Sequence, residues 1–271
     1  MHHHRADYVH AYLIIIMTRY NNFSLPPLSS VTINLIIINV IIWAVEMIMP
    51  AFGRIMIKYG GLHLIGAQDF NPLQFVTYAF LHDNTTILHI FFNMFTLWMF
   101  GRTLERVWGA KRFLLFYFVC TIGAAVVQEA IWLLTWHNDF LEALARINYT
   151  SVDAIKQDVY AALANHDPAL TTSMMQFKSS LVTIGASGAI FGLLLGFAFV
   201  FPNIPLYLFF IPVPIKAKYM VLGYAVLEFF FGVNGNFGTV AHFAHLGGML
   251  FGLILLLYWK KNGTLHGNQF Y

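Results

Sequence analysis

Six segments of this chain are apolar enough to cross a lipid bilayer, some of them only when their flanking residues are included. The hydrocarbon core of a membrane requires about 20 apolar residues from each helix that spans it. Charged residues make up only 10% of the 271 residues, whereas soluble domains carry roughly 25%. The chain is therefore predicted to be an all-α polytopic membrane protein with six transmembrane helices. The six segments are residues 31–50, 86–101, 113–136, 181–201, 217–233 and 240–259.

Two longer connections between these segments have their own character. Residues 204–215 are apolar but contain three prolines. Prolines at that density break a helix, so this stretch is interpreted as an interfacial loop. Residues 137–180 form a long outer loop, in which we expect one or two short amphipathic helices and assign no chemistry.

The two ends of the chain are predicted to be a cytoplasmic N-terminal segment, residues 1–30, and a cytoplasmic C-terminal tail, residues 261–271. The first 16 residues resemble neither a cleavable signal nor a normal span. They are excluded from the functional interpretation, because the three opening histidines suggest a tag remnant or an upstream start, with Met17 as another initiator.

The distribution of basic residues predicts the orientation in the membrane. Cytoplasmic loops carry an excess of lysine and arginine, and a six-span topology places both termini on one side. That side holds ten basic residues: Arg5, Arg19, Arg102, Arg106, Lys111, Arg112, Lys216, Lys218, Lys260 and Lys261. The opposite side holds five: Arg54, Lys58, Arg146, Lys156 and Lys178. Both termini are therefore predicted to be cytoplasmic.

Four polar residues fall at a similar depth in three different apolar segments. At 1.5 Å per residue, Ser187 lies ~9 Å into the fourth segment and His245 ~8 Å into the sixth. His89 and Asn93 lie in the first two turns of the second segment. Because polar groups in lipid are costly unless paired, we expect these side chains to face one another or a water-filled cavity.

These residue types suit the hydrolysis of a peptide bond. A serine hydroxyl becomes a nucleophile when a base lies within hydrogen-bond reach, and a histidine can take and return that proton. Attack on a carbonyl creates an oxyanion, which needs fixed donors. His89 and Asn93 project from one helix face, so they are candidate donors together with the backbone N–H of Ser187.

The glycines in the fourth and sixth segments predict close helix packing. Gly185 and Gly188 remove bulk beside Ser187, so that a substrate backbone can approach. Gly188 also begins a four-residue glycine repeat, and Gly248 and Gly252 have the same spacing in the sixth segment. Small residues at this spacing let membrane helices approach closely, as a contact between Ser187 and His245 requires.

The sequence resembles the rhomboid family of intramembrane serine proteases. The resemblance covers roughly residues 31–260, interpreted as a six-helix rhomboid protease domain with residues 137–180 as an outer insertion. The outer stretch 51–85 resembles the family's first loop, and the recognisable core of that loop is PLQFVTYAFLH, residues 72–82. The motifs that carry the resemblance are HIFFN at 89–93, FGRTLERVWG at 100–109, GASGAIFG at 185–192 and AHFAHLGGMLFG at 241–252.

The resemblance implies a serine–histidine dyad without a third acid. Ser187 matches the nucleophile and His245 the base, while His89 and Asn93 match the oxyanion donors. Phe191 stands where an aromatic residue, often tyrosine, packs under the histidine.

The remaining polar positions receive supporting or structural interpretations. His242 matches a polar position near the site in the family and is assigned a supporting role. Gly185 and Gly188 are also assigned supporting roles. Glu105 and Arg106 match an element interpreted as a structural cap or ion pair.

Simpler interpretations of the same residues stay open. Ser187 alone is compatible with a packing serine bonded to its own backbone. His242 and His245 are compatible with core histidines or with half of a metal site, completed by His82 and His89. Three carboxylates near the outer ends of the first, third and fifth segments are attributed to interfacial solvation: Glu46, Glu129 and Glu228.

The predicted function is an intramembrane serine endopeptidase that cleaves transmembrane segments of single-span membrane proteins near the outer face. Residues 234–239 would form a mobile cap above His245, and the fifth segment a lateral gate. Two alternatives are a non-catalytic rhomboid-like protein that binds membrane clients and a histidine-based metal-handling transporter.

The predicted partners are membrane-embedded protein substrates and the lipid bilayer. No cofactor and no metal are predicted, and the net charge of +3 is too small to indicate nucleic acid. The compact plan suits a bacterial plasma membrane, and the sequence does not fix the oligomeric state.

Overall fold

The computed structural model describes residues 30–84, 86–208, 211–234 and 241–264. The predicted N-terminal segment 1–30, apart from Ser30, lies outside the described residues. So do the predicted cap 234–239, apart from Asn234, and the C-terminal tail from residue 265 onward.

Helices make up most of the described chain. They are α1 Val31–Ile48, α2 Pro50–Gly60, α3 Gln74–Thr77, α4 Ile87–Thr96, α5 Arg102–Trp108, α6 Ala110–Ile147, α7 Val152–Ala164, α8 Pro168–Ser180, α9 Ser187–Val200, α10 Ala217–Asn234 and α11 His242–Lys261. A 3₁₀ turn, Tyr78–Phe80, follows α3, and a π-helical segment, Leu97–Gly101, joins α4 to α5.

Two small antiparallel sheets accompany the helices. Strand β1, Leu62–His63, pairs with β2, Val182–Thr183, immediately before α9. Strand β3, Pro205–Leu208, pairs with β4, Ile211–Lys216, between α9 and α10. The all-α prediction for the membrane domain is confirmed, with these two short ladders as local additions.

Three described helices are long and apolar enough to cross a membrane: α1, α6 and α11. Helix α9 is apolar but has only 14 residues. The chain is a polytopic helical membrane protein, and the count of six spans stays a prediction.

The described part of residues 204–215, interpreted as an interfacial loop, does not form a helix, and most of this stretch forms the β3–β4 hairpin, which the sequence did not predict. The prolines do exclude a helix, as expected. They are compatible with a two-stranded ladder, since each strand pairs on one side only and a residue without an N–H is tolerated at such an edge.

Residues 137–180, predicted to be an outer loop, contain the two short helices expected there, α7 and α8. The third predicted segment is longer than its apolar run, since α6 continues to Ile147. No glycine or proline interrupts residues 137–147, and an i,i+4 pair of Glu142 and Arg146 lies on this extension. Leu141 and Ala145 pack against α7 in a small separate core with Ile155 and Val159.

Helices α6, α9 and α11 form the centre of the bundle through glycine contacts. A β-carbon at Gly248 would overlap the carbonyl oxygen of Gly188, and one at Gly192 would overlap the Cys120 side chain. The α9 and α11 backbones therefore touch without an intervening side chain, as the glycine spacing predicts.

The start of α1 is held by Glu105 on α5. The Glu105 carboxylate accepts hydrogen bonds from the backbone N–H groups of Val31 and Thr32 and from the Thr32 hydroxyl. Ser30 caps the same helix through the N–H of Ile33. Helix N-termini leave such N–H groups without intrahelical partners, so the cap interpretation of Glu105 is confirmed.

Candidate active site

Ser187 is the first residue of α9, so the prediction that it lies ~9 Å inside the fourth transmembrane helix is wrong. The chain enters as strand β2 and turns at Gly185, whose φ of +124° is a conformation that L-residues rarely adopt. Hydropathy cannot detect this turn, because the residues before the helix are as apolar as those within it. The consequence is a serine beside the unpaired N–H groups of a helix N-terminus.

The structure brings Ser187 and His245 together. Ser187 Oγ lies 2.8 Å from His245 Nε2, which is hydrogen-bond distance. His245 is the fourth residue of α11 and is 7% exposed. The hydroxyl can donate to Nε2 when the imidazole carries its proton on Nδ1.

The His245 ring is held in its plane by an aromatic neighbour. The Phe191 ring, one turn after Ser187 on α9, stacks on the imidazole with centroids 4.2 Å apart and an interplanar angle of 5°. Phe191 in turn packs edge-on against Tyr224 of α10. The stack leaves both ring nitrogens available at the imidazole edge.

Glu228 on α10 is the residue that sequence reasoning missed. Its Oε2 lies 2.7 Å from His242 Nδ1 and 3.0 Å from His245 Nδ1, and its side chain is 15% exposed. Interfacial solvation is therefore the wrong interpretation of this carboxylate. The signal available in the sequence was an acidic residue in an apolar helix, which must pair to be tolerated there.

The other two carboxylates attributed to solvation are also buried. Glu46 on α1 accepts a hydrogen bond from the backbone N–H of His82, and Glu129 on α6 accepts one from Ile65. These two hydrogen bonds connect the segment between α2 and α4 to helices α1 and α6. The interpretation of Glu46 and Glu129 as solvated interfacial groups is wrong for the same physical reason as for Glu228.

Five of the predicted site residues line one cavity of about 940 Å³, whereas Gly185, Gly188 and His242 are not among its lining residues. Its walls come from α4, α6, α9, α10 and α11 and include exposed side chains such as Leu88 and Phe92, so it opens to the surface of the molecule. All four residues predicted to share one depth face this space: Ser187, His245, His89 and Asn93.

His89 and Asn93 occupy one face of α4 beside the serine turn. The His89 ring lies against the backbone of Gly185, where an added β-carbon would meet it at 3.2 Å. Asn93 Nδ2 donates to the His89 carbonyl oxygen at 3.0 Å. That amide nitrogen carries two protons, so one of them is free of this backbone contact.

The metal site considered from the sequence combined His242 and His245 with His82 and His89, but the structure groups the first two with Glu228 instead. Within the described residues, ligand atoms of Glu228, His242 and His245 lie within 4.8 Å of one another, a spacing that could hold an ion. His82 and His89 do not belong to this cluster, although their rings contact each other with centroids 5.3 Å apart. Burial and the neighbouring His89 lower the pKa of His82 to about 4.

Comparison with known proteins identifies the family. The model of the Rhomboid domain matches residues 70–137 and 159–262, well over half of the chain. The chain belongs to the rhomboid family. Membership indicates an intramembrane protease or a related rhomboid-like function.

One curated relative is Rhomboid protein 1, mitochondrial, of Saccharomyces cerevisiae. It is 27% identical over 215 residues, which cover 79% of this rhomboid chain and 49% of the relative. The chain therefore spans about half the length of the curated relative that it matches.

Proposed function

We propose that this rhomboid protein is an intramembrane serine endopeptidase that cleaves transmembrane segments of single-span membrane proteins near the outer face. Ser187 is the nucleophile and His245 the general base. The observation that carries the proposal is the 2.8 Å contact between Ser187 Oγ and His245 Nε2 inside an open cavity.

The first half of the reaction forms an acyl-enzyme. As Ser187 Oγ bonds to the scissile carbonyl carbon, its proton moves to His245 Nε2 and the carbonyl electrons become an oxyanion. The tetrahedral intermediate then collapses, the C–N bond breaks, and the proton on Nε2 passes to the leaving nitrogen. The amino-terminal part of the substrate stays esterified to Ser187.

Water completes the second half along the same path. A water molecule in the cavity gives a proton to His245 Nε2 as its oxygen bonds to the acyl carbon. When the intermediate collapses, Ser187 Oγ leaves and recovers the proton from Nε2. The products are two peptide fragments and the free serine hydroxyl, so atoms and charge balance.

The oxyanion is stabilised by donors beside the helix N-terminus. The N–H groups at the very start of α9, including that of Ser187, have no acceptor one turn earlier in the helix, and the helix dipole is positive at this end. His89 and Asn93 add side-chain donors from α4, which lines the same cavity. Fixed donors of this kind are usually the largest contribution to catalysis.

The remaining predicted residues shape the space around the serine. Gly185 keeps the space between Ser187 and the His89 ring free of bulk, and the family resemblance suggests a small residue just before the cut. The expectation that Gly188 clears the substrate side is wrong, because a β-carbon there would meet Ala124 of α6; Gly188 allows close helix packing instead. Phe191 fixes the plane of the base, and His242 supports the site through Glu228.

A substrate helix reaches the cavity beside α10. The buried side chains of α10 are Ala217, Met220 and Val221, all in its first turns. Its carboxyl-terminal half is more exposed, including Phe229 and Phe230. Few buried contacts make a segment easier to displace, which supports α10 as the lateral gate.

Cleavage of a single-span reporter substrate by the purified protein in detergent tests this function. We expect cleavage by the parent chain and none by Ser187→Ala or His245→Ala. A fluorophosphonate probe should label the parent and not Ser187→Ala, which separates a protease from a protein that only binds clients. Cleavage retained by either variant would defeat the assignment.

The orientation and host membrane form a separate part of the proposal. The excess of basic residues supports cytoplasmic termini, with the cavity toward the outer face of a bacterial plasma membrane. The curated relative is named as mitochondrial. Reporter fusions at the C-terminus, combined with membrane fractionation, distinguish these hosts and orientations.

The metal-handling alternative has one observation in its favour, the cluster of Glu228, His242 and His245. A metal-handling protein should bind one equivalent of zinc through this cluster and should not label with the fluorophosphonate probe. Metal analysis of the purified protein, run beside the labelling assay, separates the two functions.

A further inference from the structure

We propose that Glu228 is a positioning residue for the base, so that the site works as a Ser187–His245–Glu228 chain instead of an isolated dyad. This inference rests on the proposed protease function and goes beyond it. It assigns a role to a buried carboxylate that the family resemblance leaves without one.

Each nitrogen of the His245 ring lies close to a polar oxygen atom. Nε2 lies 2.8 Å from Ser187 Oγ, and Nδ1 lies 3.0 Å from Glu228 Oε2. A carboxylate can only accept, so it selects the tautomer with the proton on Nδ1. That tautomer leaves the lone pair of Nε2 directed at the serine hydroxyl, as a general base requires.

The contact between Glu228 and His245 is an ion-pair contact more than a well-aligned hydrogen bond. Nδ1 lies within ion-pair distance of Oε2, but its N–H direction is off the oxygen. Catalytic contacts are often loose before substrate binds and tighten in the reacting complex. Proton transfer from Ser187 makes the imidazole cationic, and its attraction to the carboxylate is then at its strongest.

His242 holds the carboxylate in place. Its Nδ1 lies 2.7 Å from Glu228 Oε2, in hydrogen-bond geometry, and both groups are largely buried. His242 and His245 are three residues apart on α11, so they present their rings on the same face. This arrangement explains why a second histidine stands near the site without touching Ser187.

Several titratable groups surround His245 in the described residues. His242 lies on its own helix, Tyr224 packs on Phe191 from α10, and His89 and Asp83 line the cavity from the α4 side. Glu228 is the carboxylate in contact with the imidazole. In a site of low dielectric such a charge acts more strongly than it does in water.

The alternatives for Glu228 make different predictions. A purely structural role would tie α10 to α11, and its loss would lower stability and weaken substrate binding. If Glu228 is a metal ligand, cleavage should either require zinc or be inhibited by zinc, and either effect should disappear when Glu228 is replaced. If Glu228 positions the base, its replacement should lower kcat and leave KM unchanged, and an added carboxylate should restore the rate of a variant that lacks the side chain.

The test compares Glu228→Gln, Glu228→Asp and Glu228→Ala with the parent, measuring kcat, KM and the thermal unfolding midpoint. We expect Glu228→Gln to lower kcat at least about tenfold, with KM within about twofold of the parent. Glu228→Asp should recover part of the rate. Added formate should raise the rate of Glu228→Ala, because it can occupy the vacated carboxylate position.

Glu129→Gln is the matched control, since Glu129 on α6 is also a buried carboxylate but accepts from the backbone N–H of Ile65. We expect it to keep the parent's kcat within about twofold, because an amide oxygen also accepts. An equal kcat for Glu228→Gln and the parent overturns the inference, as does zinc-dependent activity that is lost with Glu228.

The formate measurement decides the case in which Glu228→Gln also lowers the unfolding midpoint. Rescue of Glu228→Ala supports positioning, and absence of rescue in the folded fraction overturns it. Failure of the proposed function is distinct, because the parent would then cleave no better than Ser187→Ala, whatever the Glu228 variants do.

Discussion

The carbonyl of Gly188 lies directly against the Cα of Gly248, so helices α9 and α11 meet backbone to backbone. These two helices carry Ser187 and His245, respectively. The distance between the two proposed reacting groups is therefore set by a contact that has no room for a methyl group.

Gly248→Ala should disrupt both stability and activity. The new methyl group would overlap the Gly188 carbonyl, and overpacking of this kind costs typically about 1–3 kcal/mol. We expect a lower thermal unfolding midpoint and loss of fluorophosphonate labelling. Gly223→Ala on α10 is the control, since nothing lies within 4 Å of the added carbon; equal effects of the two substitutions would contradict the close-contact explanation.

Phe191→Ala should lower kcat more than it raises KM. Removing the stacked ring lets the His245 imidazole leave the plane that directs Nε2 to Ser187. We expect a loss of about tenfold in kcat, in line with the steep dependence of rate on geometry. Phe191→Tyr keeps the ring and should retain most of the activity, and steady-state cleavage kinetics of the two variants measure the difference.

Asn93→Ala should slow the chemical step. If Asn93 donates to the oxyanion, its loss costs on the order of 10²–10³ in kcat with little change in KM. Asn84 lines the same cavity, and Asn84→Ala is expected to keep nearly full activity. A rise in KM with unchanged kcat for Asn93→Ala would assign this residue to substrate binding instead.

His82 should make the fold sensitive to acid. Its side chain is fully buried, neither ring nitrogen has a hydrogen-bond partner among the described residues, and burial lowers its pKa from 6.5 to about 4. The unfolded chain then binds more protons than the folded one between these values, so stability falls as the pH drops from about 6.5 to 4. The loss amounts to about 3 kcal/mol at 1.36 kcal/mol per pKa unit.

His82→Phe removes this titration while keeping a ring of similar size. We expect the unfolding midpoint of the variant to vary less between pH 6.5 and 4 than that of the parent. Parallel pH dependence in the two chains would show that other groups cause the acid sensitivity.

The helical membrane fold could be predicted from apolar segment length, and the α9–α11 contact from glycine spacing. The limits of helices were less predictable. The start of α9 depends on the backbone angle at Gly185, which hydropathy does not encode, and α6 continues to Ile147 through polar residues that still favour a helix.

The candidate site was predictable where residue chemistry was unusual for its surroundings. Ser187, His245, His89 and Asn93 are polar residues in apolar segments, and all four line one cavity. Glu228 was not predicted, because an acid near the end of an apolar helix fits solvation at the interface equally well. Only the packing of α10 against α11 distinguishes the two interpretations.

Helix α10 is anchored mainly through its first turns and carries Glu228 in its more exposed half. If this helix moves aside to admit a substrate, the carboxylate moves with it and the imidazole temporarily loses its counterion. Entry of the substrate and cleavage of its peptide bond would then be sequential. His245 would regain its full strength as a base only after α10 has closed around the bound substrate. An unoccupied, open form of the proposed enzyme would be a poor hydrolase, and this would protect lipids and passing helices from accidental attack.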